Sequence, residues 1–242
     1  MVAKELAEDE DNKTDRYLVV SILEALSNIS IPEDWEVAKA VVVFLRSALE
    51  TVDEESPFTV VTLKLAINVT NHESAASEFN HLTILTKLST SISEAFGQAQ
   101  RDVEHGNPLD HGYDQLLLLL GILINILEHC SLARESVDSA SLKQLSAIWA
   151  KNVSSLHDAD SVGKSKLSVA FGYLAIAVGY FYIITSNRLE MKHYDNWPGT
   201  LQLISTIHDF IGIYRTTNAK VDELEMLVQD LRLLRSTENF VS

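Results

Sequence analysis

The stretch KSKLSVAFGYLAIAVGYFYIITSNR, Lys164 to Arg188, carries no charge from Leu167 to Ser186. A membrane helix needs roughly 20 mostly apolar residues, and this run is long enough. The surrounding sequence favours a different reading. The opening MVAKELAEDEDNK is acidic and polar, not a basic patch followed by an apolar core. Lys164, Lys166 and Arg188 stand at both ends of the run, which gives no positive-inside bias. Tyr173, Tyr180 and Tyr182 lie within it rather than at edges where an aromatic belt would sit. The run therefore reads as the buried spine of a water-soluble helical stack, apolar all round because other helices surround it. Gly172 and Gly179 are seven apart and share a face with Ala175 and Ile176, which suggests a packing notch for a neighbouring helix.

The rest of the 242 residues fits the same picture. Hydrophobic residues make up 46%, enough for a large core, and only four prolines and nine glycines interrupt them. A formal charge of -15 opposes direct binding to nucleic-acid phosphates and favours basic protein partners. The single cysteine, Cys130, excludes an internal disulfide, and its place at the end of an apolar helix reads as an inert buried thiol.

Along the chain, residues 1–13 read as an acidic flexible tail and 14–242 as one helical-repeat domain. The fold class expected is all-α, a stack of HEAT- or armadillo-like repeats, because no period-two alternation is sustained anywhere. All four prolines are expected at helix starts: Pro32, Pro57 after Ser56, Pro108 after Asn107, and Pro198 after Trp197. Breaks are expected near Asp53–Ser56, Gly106, Asp158–Gly163 and Asn187–Trp197. The second helix is expected to turn Trp35, Val37, Ala40, Val41, Phe44 and Leu45 inward. The last, Val221–Arg235, is expected to carry an inward stripe of Leu224, Leu227, Val228, Leu231 and Leu234.

An internal repeat supports stacking. Leu63–Phe79 (LKLAINVTNHESAASEF) lies over Leu120–Ser136 (LGILINILEHCSLARES), matching Asn68 to Asn125 and His72 to His129. Ala25–Ser30 is a fainter echo. A buried Asn needs a partner, so Asn68 and Asn125 are read as structural, each bonded to a backbone group of the adjoining repeat.

Chemical motifs are mostly missing. SVGKS, Ser161–Ser165, lacks the first glycine of a phosphate loop and any preceding strand. The eight histidines form neither HExxH nor Cys-paired spacing, and GxSxG is absent. No catalytic, cofactor-binding or metal-binding residue is assigned. In stacked repeats the helix ends and loops bind partners. The segment RLEMKHYDNWPG supplies Arg188, Lys192, Tyr194 and Asp195 as candidate partner contacts, while Trp197 reads as packing on the following helix.

Three stretches resemble the wings-apart-like family in order: LLGILINILEHCSLARESV (Leu119–Val137), SVAFGYLAIAVGYFYI (Ser168–Ile183) and IHDFIGIYRTTNAKVDELEMLVQDL (Ile207–Leu231). The first is similar to the family's "LLINLVE" helix, the second to its late apolar helix, the third to its closing helix pair. The resemblance implies a HEAT-like scaffold without catalytic activity or cofactor, corresponding to the C-terminal portion of a longer nuclear protein. It further implies binding to cohesin (ATPase head, kleisin and HEAT-repeat accessory subunits) and release of cohesin from chromosomes, with roles in sister chromatid cohesion, chromosome segregation and the cell cycle. Direct nucleic-acid, membrane and small-molecule partners are not expected. An unrelated armadillo-like adaptor for another protein is the alternative.

Overall fold

A computed structural model describes residues 10–27, 35–50, 57–109, 111–153, 162–215 and 221–238. Its elements are α1 (Glu10–Ser27), α2 (Trp35–Glu50), α3 (Pro57–Thr70), α4 (Glu73–Ala76) with a 3-10 turn (Ser77–Phe79), α5 (Leu82–Glu104), α6 (His111–His129), α7 (Ser131–Glu135), α8 (Ser139–Asn152), α9 (Val162–Tyr182), α10 (Thr185–Met191), α11 (Thr200–Arg215) and α12 (Asp222–Glu238). No strand occurs among the described residues, and the fold is an all-α helical repeat.

The long helices form two rows. In one, α1 packs on α3, α3 on α6, α6 on α9, and α9 on α12. In the other, α2 packs on α5 and α5 on α8, while α11 lies against both α9 and α12. From α1 through α9, neighbours within the first row run parallel. Near the helix starts, the Tyr113 hydroxyl of α6 donates to the Lys166 carbonyl of α9 at 2.6 Å. Near the helix ends, Asn125 of α6 donates to the Ile67 carbonyl of α3 at 3.0 Å.

The uncharged run forms α9, the helix with the most neighbours: α5, α6, α7, α8, α10, α11 and α12 all touch it. Leu174, Ala175, Ala177, Val178, Phe181 and Tyr182 have no exposed surface. A fully buried Leu, Val or Phe contributes roughly 1.5–3 kcal/mol, so this helix supplies a large share of the core. No single helix among the described residues is long and apolar enough to cross a membrane. The run itself breaks: α9 stops at Tyr182, and α10 departs at 117°.

The two glycines of α9 lie against α11 and α12. A Cβ at Gly172 would overlap the Phe210 ring of α11, and one at Gly179 would meet Ile207 Cδ1 at 3.0 Å and Leu227 Cδ2 at 3.3 Å. Packing at this distance requires glycine because backbone and side chain already touch.

Several local expectations need correction. The first described helix starts at Glu10, within the stretch read as a tail. Pro57 does open α3, but Pro108 precedes α6 by three residues and Pro198 precedes α11 by two. Both therefore sit in the connections, fixing the chain before it turns into a helix. Pro32, Ser56 and the break at Asp53–Ser56 lie outside the described residues, as do Asp158–Ser161. On α2 the buried positions are Val42, Leu45 and Leu49, whereas Ala40 is exposed. Leu45 is thus buried as expected, and Val41 and Phe44 pack half-buried against the core. The side chains of Trp35 and Val37 are outside the described set. The expected break at Asn187–Trp197 starts late, since residues up to Met191 are helical.

The outer row has its own polar tie. Asp138 N-caps α8 by accepting from Ser141 N at 2.8 Å, and it also accepts from Thr86 of α5 at 2.7 Å. Burial pushes its carboxyl pKa up, but the hydrogen bonds from Ser141, Thr86 and Ala140 outweigh this and hold it below the ordinary value. A depressed folded-state pKa stabilises the protein above the unfolded-state value, and the benefit is lost as pH falls through the folded one. Asp138→Ala should therefore destabilise the chain by about 1 kcal/mol in urea unfolding at pH 7, with the difference from wild type shrinking below about pH 4. At the notch, Gly172→Ala sets a helix-propensity gain of about 1 kcal/mol against overpacking of about 1–3 kcal/mol. The clash with the aromatic ring should win, giving a lower urea midpoint. In a Phe210→Ala background, which removes the ring, the same substitution should become neutral or stabilising.

Candidate interaction site

The internal repeat takes the form of a long helix, a kink of one or two residues and a short helix. After α3, His72 leaves the helical region (φ -105°, ψ 124°) and starts α4. After α6, Cys130 does the same (φ -126°, ψ 98°) and starts α7. A third copy, which direct comparison of the sequence did not reveal, follows α9: Ile184 (φ -79°, ψ 127°) starts α10. The third residue beyond each kink is buried, and these are Ala75, Ala133 and Asn187. Where the first two copies have alanine, the third has Asn187, whose Nδ2 donates to the Arg134 carbonyl at 2.8 Å. That bond joins α10 to α7.

Arg134 completes the joint. Its Nε donates to the Leu127 carbonyl, and Nη2 donates to the Glu128 carbonyl at 2.9 Å. These carbonyls belong to the last turn of α6, which has no intrahelical donors left for them. A guanidinium there also suits the negative end of the helix dipole. The same group lies 4.9 Å above the Tyr180 ring of α9. Glu128 is pushed up in pKa by burial, with Glu223 adding to the effect and His129 and Arg134 opposing it.

A polar ladder continues from this joint toward the N-terminal end. Asn125 Nδ2 reaches both the Ile67 carbonyl and Thr70 Oγ1, at 3.0 and 3.3 Å. Asn68 Nδ2 donates to a side chain of the adjoining helix, Ser27 Oγ, at 2.9 Å. Each Asn thus links the end of one long helix to the end of the previous one. The three short helices stand in sequence at that end of the stack.

Of the four candidate contact residues, two face outward. Lys192 and Asp195 are exposed. Arg188 is half-buried on α10, and its guanidinium turns back to the Ile183 carbonyl and Thr185 Oγ1, each at 3.4 Å. Tyr194 donates to Glu190 Oε1 at 2.7 Å, while Ser139 of α8 donates to Glu190 Oε2 at 3.1 Å. Burial, then the bond to Glu190, raises the Tyr194 pKa far above the usual tyrosine value. Trp197 stacks on Tyr182 at 5.4 Å and tilts against Trp149 at 5.2 Å. Its ring partners are in α9 and α8.

The outer surface of the short helices combines acids with isolated apolar residues. Glu73, Glu78 and Glu135 are exposed, and so are Leu132 (62%) and Leu189 (55%). Neither α4 nor α7 presents an exposed base there, because the one base of α7, Arg134, is half-buried and engaged with α6. Among the described residues no three His, Cys, Asp or Glu side chains converge as a metal site.

A sequence model of the family described as wings apart-like protein regulation of heterochromatin matches residues 2–133, more than half the chain. The match spans α1 to α6 and reaches Ala133 on α7. Of the three stretches that resemble the family, it includes most of Leu119–Val137, while the other two lie beyond it. No curated protein and no solved structure matches the chain. The repeat-bearing half, with its paired asparagines and kinked helix ends, thus carries the assignment: the chain belongs to the wings-apart-like family.

Proposed function

We propose that this chain is a non-catalytic scaffold that binds cohesin in the nucleus and promotes its release from chromatin. The observation that carries the reading is the family match over the first half of a stacked-helix fold. Its physical support is the outer surface of α4 and α7, where exposed acids without an exposed base suit basic stretches of a protein partner. The candidate partners are the cohesin ATPase head, the kleisin and the HEAT-repeat accessory subunits.

Release without catalysis has a strict energetic condition. The scaffold shifts an equilibrium between closed and open cohesin only by binding the open state more tightly. A tenfold preference corresponds to about 1.4 kcal/mol, within reach of a few well-placed contacts. Lys192 and Asp195 are the exposed members of the candidate contact set.

A second reading follows from the extent of the match. Because α8 to α12 lie outside it, those helices could serve a different protein partner, as an armadillo-like adaptor does.

Binding of the purified chain to cohesin subunits, measured by fluorescence anisotropy, separates these readings. Binding is expected to the head–kleisin assembly or an accessory subunit, weakening as salt rises. A Lys192→Glu, Asp195→Lys double variant should lower affinity by roughly tenfold while leaving the thermal midpoint unchanged. A well-folded sample that binds no cohesin subunit would contradict the proposal and favour the adaptor.

A further inference from the structure

The first helix is apolar on two opposite sides. Its inner side places Val20 (4% exposed) and Leu23 against the core, through packing on α3. Its outer side exposes Leu18 (57%), Val19 (55%), Ile22 (50%) and Leu26 (54%), with Ala25 exposed among them. The charged first turns, Glu10–Arg16, suit water, but two opposite apolar sides over Tyr17–Ser27 call for cover on both. The opposite end of the stack is mixed, since α12 exposes Met226 (64%) and Leu233 (66%) among Glu223, Gln229, Asp230 and Arg232. A polar outer face is what the closing helix of a repeat array needs, and α1 does not have one.

From this geometry we infer that α1 is a dimerisation surface, and that its occupant is α1 of a second copy of this chain. The outer stripe is symmetric about Ile22. Leu18 lies four residues before it and Leu26 four after, while Val19 and Ala25 lie three to either side. When two such helices cross antiparallel on a twofold axis through Ile22, Leu18 meets Leu26 and Val19 meets Ala25, and Ile22 meets its own equivalent. An isologous interface requires this kind of self-complementary patch.

Charge points to the same occupant. Two copies of a chain with formal charge -15 repel one another over most of their surface. Between Tyr17 and Ser27 the only charged residue is Glu24, which is not among the exposed residues of the stripe. The stripe thus lets two copies approach with little like-charge cost and offers few handles to a strongly basic partner. Head-to-tail stacking would instead set this uncharged stripe against a face of α12 that carries Asp222, Glu223, Asp230 and Arg232 around Met226 and Leu233, so the uncharged stripe pairs better with its own copy and the assembly closes as a dimer.

Sedimentation velocity of the full chain tests the inference. A concentration-dependent shift from monomer to dimer is expected, and Ile22→Glu should raise the dissociation constant by roughly tenfold or more. Ile22 is half exposed, so the variant should keep the helical circular dichroism of wild type. Under mild oxidation Ile22→Cys should form a covalent dimer. Ser236→Cys, exposed on α12, should not, and neither should wild type, whose Cys130 is buried. A wild type that stays monomeric throughout would overturn the inference and leave α1 to a partner of different sequence. A dimer indifferent to Ile22→Glu and not cross-linked through Ile22→Cys would overturn it equally.

Discussion

A helix with no charge from Leu167 to Tyr182, roughly four turns, has no side to give to water there, so every face of that part of α9 must be covered. That constraint organises the molecule. The faces of α9 are taken by α6 on one side, α8 and α5 on another, and α11 and α12 on the third. Coverage at van der Waals distance then dictates small residues where the neighbours are bulky. Gly172 admits the Phe210 ring, and Gly179 admits Ile207 and Leu227. The apolar term is non-directional and fixes the stack only loosely. The close approaches at the two glycines add directional detail by allowing one register of α11 against α9.

Polar contacts supply the rest of the register, and they cluster at helix ends. Asn68, Asn125, Arg134 and Asn187 each satisfy a group at the end of a long helix or in the short helix after it. A buried amide or guanidinium left without its partner costs roughly 1–3 kcal/mol, so these bonds penalise slippage between repeats more than they add to stability. The same arrangement accounts for the short helices at the ends of α6 and α9. Each long helix must stop, its last carbonyls need donors, and the following short helix brings those donors or receives the next repeat's.

Much of this architecture can be read from the residues themselves. The uncharged run, the lack of alternation and the Asn68–Asn125 correspondence point to stacked helices. The third copy could not be read that way. Asn187 replaces a buried alanine, and Gly179–Tyr180 stands near where the earlier copies have asparagine, so the likeness lies in backbone path rather than residue identity. Arg134 was also missed, because a lone arginine in a short polar stretch looks solvated until the helix end beneath it is known. The same limit applied to Tyr194, an exposed binding anchor by residue type but bonded to Glu190 in the fold. Helix starts marked by proline misled for a related reason. Pro108 and Pro198 stiffen the approach to a helix instead of opening it.

Family membership rests on the first half of the chain, and the buried spine lies in the second. The two halves are joined through α6, which packs on both α3 and α9. The account therefore depends on α9 being the interior of one cooperative unit. Native-state hydrogen exchange measures this directly. Amides of α9 from Leu174 to Phe181 should be among the slowest, exchanging only on global unfolding together with those of α6. Exchange of α9 amides at rates typical of the edge helix α1, while α6 stays protected, would contradict it.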